Sequence, residues 1–579
     1  MSLDREKDYN EGGETDPVRL LDEIQAAETL RDRHLGRWPD MVARFAGPGY
    51  AVPTPTGRKY DPEAFAFEYV SLVLPRLAYD NPRVAVQSRA EGPDAKKAAT
   101  RLRYGLNLWA TLLGFDQQAS RLAMDYLFGW CVCVILPRAV PWYRDAGPDD
   151  LPRVQRLDPG DYFTEAVAKH DTEATFRGHR WTVKRRDLLA WAKKQTGEGW
   201  DMEAIRALPN TDQPVAPATD TASDRDEGPD DTVEVYQVWR ANSKSGRIYT
   251  LARAWNSSAD VRSRNKPNWI RKPQDYKGPP TGPYEVGGAF DVPNDPYYLG
   301  PILAIDEQIN DHNSEVKTIQ VGVSEYRRGT LVRTADRAVA KAISEKGAKL
   351  VQTVPDLTKD AVIPFEVGGV TPQMVEHAAM SRERLDRVSG LDDAMRGNVR
   401  GQATATELTI AEAGGNARLA WIQSRFHGFI QRVLRKVGHL LWTGGSMAAT
   451  PLGARAARNA SATFAGGTLE EFEAMDLSIE PYSMGRVSEA MQSQRGLQIV
   501  QLLGNLAQII PATPWVKWQE TILPQLGDML GFDLEDAIDM AQLQLSGAGQ
   551  GMPGAQGAVP RVQGPMTPQG LGSAARRVG

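Results

Sequence analysis

The chain has 579 residues and a formal net charge of −5, with 68 Lys and Arg against 73 Asp and Glu. Single domains usually run to about 100–200 residues, so more than one core is expected. A slightly acidic surface excludes wrapping of nucleic acid by the whole molecule, because phosphate neutralisation needs clustered cations, so any contact with DNA must be local.

Apolar and charged contents of 41% and 24% are those of a folded chain, while 53 Gly and 38 Pro imply many turns and some unstructured length. Cys131 and Cys133 stand at i and i+2 in an apolar run, on one face of a strand, where they read as core residues and not as a metal or redox pair. The N-terminal "MSLDREKDYNEGGETD" has no apolar stretch, and the longest apolar run, "YLFGWCVCVIL" at 126–136, is too short to span a bilayer. Neither an export signal nor a membrane partner is expected.

After an unstructured start at 1–16, residues 17–46 read as a helix, with Leu21, Ile24, Ala27, Leu30, Trp38, Met41 and Phe45 at steps of three and four. A second helical tract, 92–128, carries Leu102, Leu106, Trp109, Leu112 and Leu113 and runs into a β-like segment at 130–136. From 151 to 258 the pattern turns to β-type runs such as "TFRGHRWTV" and "TVEVYQVWRA". The stretch 208–231 between them, poor in apolar residues, reads as an exposed insertion.

A sharper signal follows. In "GPILAIDEQINDHNSEVKTIQVGV", Ile302, Ile305, Ile309, His312, Val316, Ile319 and Val323 recur at alternating steps of three and four, with Pro301 at a first helical position. The spacing predicts one helix with a narrow apolar seam. Asp306, Glu307, Asp311 and Glu315 stand against Lys317 alone on its other faces. Strands at 329–334, 349–354 and 361–367 and a helix at 336–347 then make a small α/β unit with little core of its own. A second helix, 371–389, is capped by Thr371 and Pro372, stopped by Gly390, and has Met374, Ala378, Leu385 and Val388 as its apolar side.

The loop 391–403 carries Arg396, Asn398, Arg400 and Gln402 between glycines, and Thr404 with Glu407 fits a capping box that opens a helix over 404–442. Leu419, Ile422, Phe426, Phe429, Val433, Val437 and Leu440 form the stripe of that helix. Beside them Arg418, Arg425 and Arg432 repeat every seven residues as a solvated or subunit-facing row, with DNA contact as the alternative. Residues 446–485 hold a possible strand at "DLSIEPYS", 487–545 are helical again, and 546–579 form a Gly/Pro/Gln tail expected to lack structure.

The chemistry of a motor or enzyme is missing. No G-x-x-x-x-G-K-[ST] loop occurs, and the seven histidines never fall at H-x-x-x-H or beside a matching cysteine. Acidic neighbours such as Asp149 with Asp150, and Asp392 with Asp393, would need further carboxylates to hold a catalytic metal. No enzyme activity, cofactor or metal is expected.

The order of these pieces resembles the portal protein, or head-to-tail connector, of tailed bacteriophages, in the long-chain form of short-tailed phages. The resemblance rests on "YYLGPILAIDEQINDHNSEVKTIQ", the small unit after it, "TPQMVEHAAMSRERLDRVSGLDDAMRGNVRGQATATELTIAEAGGNARL", and the C-terminal helices. It implies an α+β portal-type fold, mainly helical. Residues 17–298 with 446–485 would be a β-containing wing, 299–323 and 371–390 two stem helices, 324–370 the clip between them, 391–403 a tunnel loop, 404–442 the helix joining wing to stem, and 486–545 a helical crown. It also implies a homo-oligomeric ring, usually of twelve, at one capsid vertex of the virion, assembled in the host cytoplasm. Double-stranded DNA would pass through it. The terminase large subunit, the major capsid and scaffolding proteins, and later head-tail adaptor or tail proteins would dock on it. Asp306, Glu307, Asp311 and Glu315 would line the channel, where carboxylates repel phosphate. Arg396, Asn398, Arg400 and Gln402 would touch DNA from the tunnel loop. A capsid or scaffolding protein, and less so a DNA-processing enzyme, are the alternatives.

Overall fold

A computed structural model describes residues 17–46, 64–140, 149–195, 199–206, 231–242, 245–252, 269–333, 351–354, 362–367, 369–391, 405–445, 450–453 and 461–479, with a few single positions besides. The chain divides into two compact units, Met1–Met491 and Gln492–Gly579, and the described residues all belong to the first. The fold is α+β.

The expected helix at 17–46 is two helices, α1 (Pro17–Leu35) and α2 (Trp38–Ala46), parted at Gly36. After α3 (Phe65–Leu77) and strand β1 (Val84–Ser88), the tract expected as one helix over 92–128 is likewise split into α4 (Pro93–Leu113) and α5 (Phe115–Phe128). Gly114 makes that break in a left-handed conformation, φ 57°, which closes α4 and lets Phe115 turn back into the core. Leu102, Leu106 and Trp109 are buried as expected, whereas Leu112, past the last covered turn, is exposed.

Strand β2 (Trp130–Leu136) is buried at every position because it is the middle of an antiparallel sheet, between β3 (Arg153–Leu157) and β9 (Tyr284–Gly288), with helices against it. Cys131 and Cys133 share one face of it inside the main apolar cluster, as free thiols pushed up by burial. A second sheet is an antiparallel meander of β4 (Tyr162–Thr164), β5 (Phe176–Lys184), β6 (Thr232–Arg240), β7 (Arg247–Ala252) and β8 (Trp269–Asp275). β5 and β6 are the two β-type runs read from the sequence. Helix α1 lays Leu20, Ile24 and Ala27 on this sheet against Phe163, Tyr236 and Leu251, and two short helices, α6 (Arg185–Lys194) and α7 (Met202–Arg206), cover its far end.

A short hairpin of β10 (Phe290–Asp291) and β11 (Tyr298–Leu299) leads into α8 (Pro301–Ala304) and α9 (Asp306–Glu325). Next comes a three-stranded sheet in the order β13 (Val351–Val354), β12 (Arg327–Arg333), β14 (Val362–Val367), with β12 parallel to β13 and antiparallel to β14. The expected strands are present; the expected helix at 336–347 lies outside the described residues apart from Lys341, which is helical. The chain returns through α10 (Pro372–Ser389) and then runs as α11 (Ala405–Gly444), 40 residues and about 60 Å long. From Leu419 to Leu440 the predicted stripe of α11 is buried in the main cluster.

After α12 (Leu469–Glu473), β15 (Met475–Ile479) pairs antiparallel with β1, nearly 400 residues earlier. It overlaps the predicted strand. Thr468 and Glu471 close a capping box at the start of α12 that the sequence reading did not single out. Helix α11 begins at Ala405, directly after the predicted cap position, but Thr404, the side chain of Glu407, the crown at 486–545 and the tail at 546–579 lie outside the described residues.

Candidate functional site

The region on which the sequence concentrates its signals is the hairpin of α9 and α10 and its junction with α11. The seam helix is not continuous. Ile305 leaves helical geometry (φ −111°, ψ 8°), so α8 ends there and α9 begins afresh at Asp306. This corrects the reading of Asp306 as a channel-lining carboxylate, because at 4% exposure it is buried in the first turn of α9. An acid in a first turn meets the positive end of the helix dipole, which makes that burial tolerable. The other three acids lie along one face at i, i+4 spacing. Glu307 is exposed and pairs with Arg37 of the loop between α1 and α2 at 3.3 Å, Asp311 is exposed, and half-buried Glu315 pairs with His377 of α10 at 2.9 Å.

The seam itself changes character along its length. Ile302, Ile305, Ile309 and His312 are buried, Val316 and Ile319 are half-buried, and Val323 is 64% exposed. The apolar pattern thus continues for two turns past the point where the rest of the chain covers it. Where the hairpin narrows towards the three-stranded sheet, Gly369 donates its N–H to the Gly322 carbonyl at 3.2 Å. A Cβ on Gly322 would come within 2.9 Å of the Gly369 oxygen, and Gly369 has φ +108°, so the clasp needs both glycines.

α10 has the predicted ends. Thr371 Oγ1 accepts from the Met374 N–H, and Gly390 closes the helix at φ 75°. Ala378 and Leu385 are buried, but Val388 is 47% exposed, which corrects its place on the apolar side. Leu385 and Leu391, on either side of it in the chain, are the residues that enter the main cluster. Arg382 reaches back to the same place, with Nη2 on Glu68 at 2.6 Å and its guanidinium over the Phe65 ring.

Each heptad arginine of α11 has a partner within the chain, while Arg418 and Arg432 remain exposed and Arg425 is half-buried. Arg418 donates to the carbonyls of Arg387 and Val388 at 2.7 and 2.8 Å, so it caps α10 at the mouth of the following loop. Arg425 holds Asp291 at 2.7 Å and Arg432 holds Glu285 at 3.0 Å. Glu285 also takes Lys436 Nζ at 2.9 Å, and Lys436 donates to the Tyr284 carbonyl at 2.6 Å. Burial works to raise the Glu285 carboxyl, but Lys436 and Arg432 together hold it below its ordinary range; burial lowers Lys436 against the pull of Glu285. The Thr281 carbonyl links this cluster to Arg177, which pairs with buried Asp171 at 3.0 Å. These pairs lie more than 130 residues apart in sequence for Arg425, Arg432 and Lys436, and a lone Glu or Asp in a β-run gave no signal of them.

Arg396, Asn398, Arg400 and Gln402 lie outside the described residues; the structure places the residues that bracket them. Leu391 is buried at the end of α10, against Tyr69, Val73, Leu419 and Ile422 in the main cluster. Among the described residues no group of three His, Cys, Asp or Glu side chains is arranged to hold a metal ion, and no helix is long and apolar enough to cross a membrane. No family model and no curated protein matches the chain.

Proposed function

We propose that the chain is a portal protein of a tailed bacteriophage, a ring-forming conduit for double-stranded DNA at one vertex of the capsid. The observation that carries the reading is the seam of α9: buried at its base, half-covered midway and open at Val323, on a helix hairpin tipped by a separate three-stranded sheet. A helix that keeps an apolar pattern past its own intrachain cover needs cover from another copy. The element order supports the same reading, with a mixed body, a helix, a small sheet unit, a second helix, a loop, and a 40-residue helix returning into the body.

In this reading the body is the wing, α8 with α9 and α10 are the stem, the three-stranded sheet is the clip, and 391–403 is the tunnel loop. Glu307, Asp311 and Glu315 form the acidic face of the stem, and like charge keeps a channel wall from gripping DNA phosphates. Arg396 and Arg400 supply a few cations on a tether, enough to touch the backbone without holding it. The terminase large subunit, the capsid and scaffolding proteins and the head-tail adaptors are the partners such a ring meets in turn. The protein itself is not an enzyme and uses no cofactor.

Negative-stain electron microscopy of the purified chain tests this: closed rings with a central hole are expected, with cyclic symmetry near twelve. A monomer at micromolar concentration, with or without scaffold, overturns it.

A further inference from the structure

The loop 391–403 leaves the end of α10, and a side chain of α11, the helix that follows the loop, holds that end in place. α10 closes at Gly390, whose N–H reaches the Asp386 carbonyl at 3.0 Å. The last carbonyls of a helix have no N–H of their own helix to accept from. Here Arg418 of α11 supplies the donor: its Nη1 donates to the Arg387 and Val388 carbonyls at 2.7 and 2.8 Å, from 31 and 30 residues away in sequence. It also brings a full positive charge to the negative end of the α10 dipole. Beside this contact Leu391 and Leu419 are both buried, with Tyr69, Val73 and Ile422 around them. The root of the loop is thus pinned twice, by an apolar plug at Leu391 and by a guanidinium across two carbonyls.

A pinned root limits where a tether can reach. Arg396 stands five residues and Arg400 nine residues beyond Leu391. At about 3.6 Å per residue, their Cα atoms lie within about 18 and 32 Å of that point. If the last turn of α10 opens, residues 388–391 join the tether, and each radius grows by up to about 14 Å.

We propose that Arg418 is a positioning residue for the loop: it holds the end of α10 closed against α11, and so fixes the volume in which Arg396 and Arg400 meet DNA, without touching DNA itself. The inference rests on the reading of 391–403 as the tunnel loop, and it assigns the aim of that loop to a residue outside it.

Arg418→Gln in the full-length chain tests it, because Arg418 is exposed and glutamine keeps a polar side chain there while removing the charge and the clasp. Rings and the thermal midpoint are expected to match the parent. Hydrogen exchange at the Gly390 amide is expected to be about tenfold faster, with β2 unchanged. Filled heads carrying the variant are expected to lose DNA sooner across a salt series, and Arg418→Lys, which returns a cation to the same carbonyls, to recover both readouts. In a background of Arg396→Ala with Arg400→Ala, Arg418→Gln is expected to change DNA retention no further, since a residue that acts only through those two cations has nothing left to aim. An added loss in that background would assign DNA contact to Arg418 itself and overturn the positioning role. Parental exchange at Gly390, parental retention in Arg418→Gln, or no recovery by Arg418→Lys overturns it as well, and each leaves the portal reading standing. A parent that forms no rings overturns both.

Discussion

The body and the hairpin of this chain spend their side chains differently. In the body, most aromatic and aliphatic residues of α3, α4, α5 and α11 are buried in one cluster, with Phe67, Leu112 and Trp421 left exposed, and even the arginines that look outward in the sequence are tied to carboxylates or carbonyls of the same chain. In the hairpin, Val321, Val323, Tyr326, Val375, Met380 and Val388 are exposed. An apolar side chain left in water forgoes about 1.5–3 kcal/mol of burial. The hairpin leaves six such side chains at least partly exposed within 70 residues, whereas eight are spread over all the other described residues, so uncovered apolar surface is densest on the hairpin.

That contrast is sharpest under core truncation. Trp109→Ala removes a fully buried ring whose Nε1–H donates to the Pro152 carbonyl, and is expected to cost about 3–5 kcal/mol, read as a fall in the thermal midpoint of the body. Lys436→Ala is expected to cost about 3–5 kcal/mol as well, because it leaves Glu285 buried with Arg432 alone. If Lys436→Ala is neutral in thermal unfolding, the buried ion cluster is not what joins α11 to the β-sheets.

Acid probes the body next. Burial holds His179 neutral, lowered to about 3, with Trp181 donating to its Nε2 and its Nδ1 against the Tyr284 hydroxyl at 2.7 Å. The folded state therefore binds fewer protons than the unfolded state between pH 6.5 and 3, and this residue's contribution falls as pH drops through that window. His179→Phe is expected to be less stable than the parent at pH 7, with the gap narrowing by roughly 3 kcal/mol at pH 4.5, at about 1.4 kcal/mol per unit. A gap that stays constant in denaturant titrations at the two pH values would show that His179 is not held neutral.

The hairpin gives the smallest stability effects and the largest assembly effects. Val323→Ser is expected to change the thermal midpoint of dissociated protein by an amount within about 0.5 kcal/mol, yet to lower the fraction of protein in rings by native mass spectrometry. Unchanged rings would mean that the uncovered end of the seam is not an interface. Smaller still for the fold is Arg396→Ala with Arg400→Ala, expected to leave folding and rings as they are. It should weaken the salt dependence of DNA retention in filled heads, since fewer counterions are displaced. An equal salt response would remove these arginines from DNA contact.

Much of this was legible in the sequence. Thr371 and Gly390 mark the ends of α10, the β-type runs at 176–184 and 232–240 are strands, and the seam of α9 and the stripe of α11 follow from periodicity alone. Local rules suffice there because a cap or a helical face is decided within a few residues. Periodicity could not find the break at Ile305, which keeps the apolar spacing in step while turning Asp306 inward. It also could not distinguish Val323 from Ile309: the pattern states that a face is apolar, and only the packing of distant elements decides whether anything covers it. The arginines of α11 make the same point, since their partners at Arg387, Asp291 and Glu285 come from elsewhere in the chain. Helix, strand and face were thus settled by neighbours in sequence, and cover, charge pairing and the exposed end of the seam by neighbours in space, because burial and ion pairing are properties of surfaces that meet only once the chain has folded.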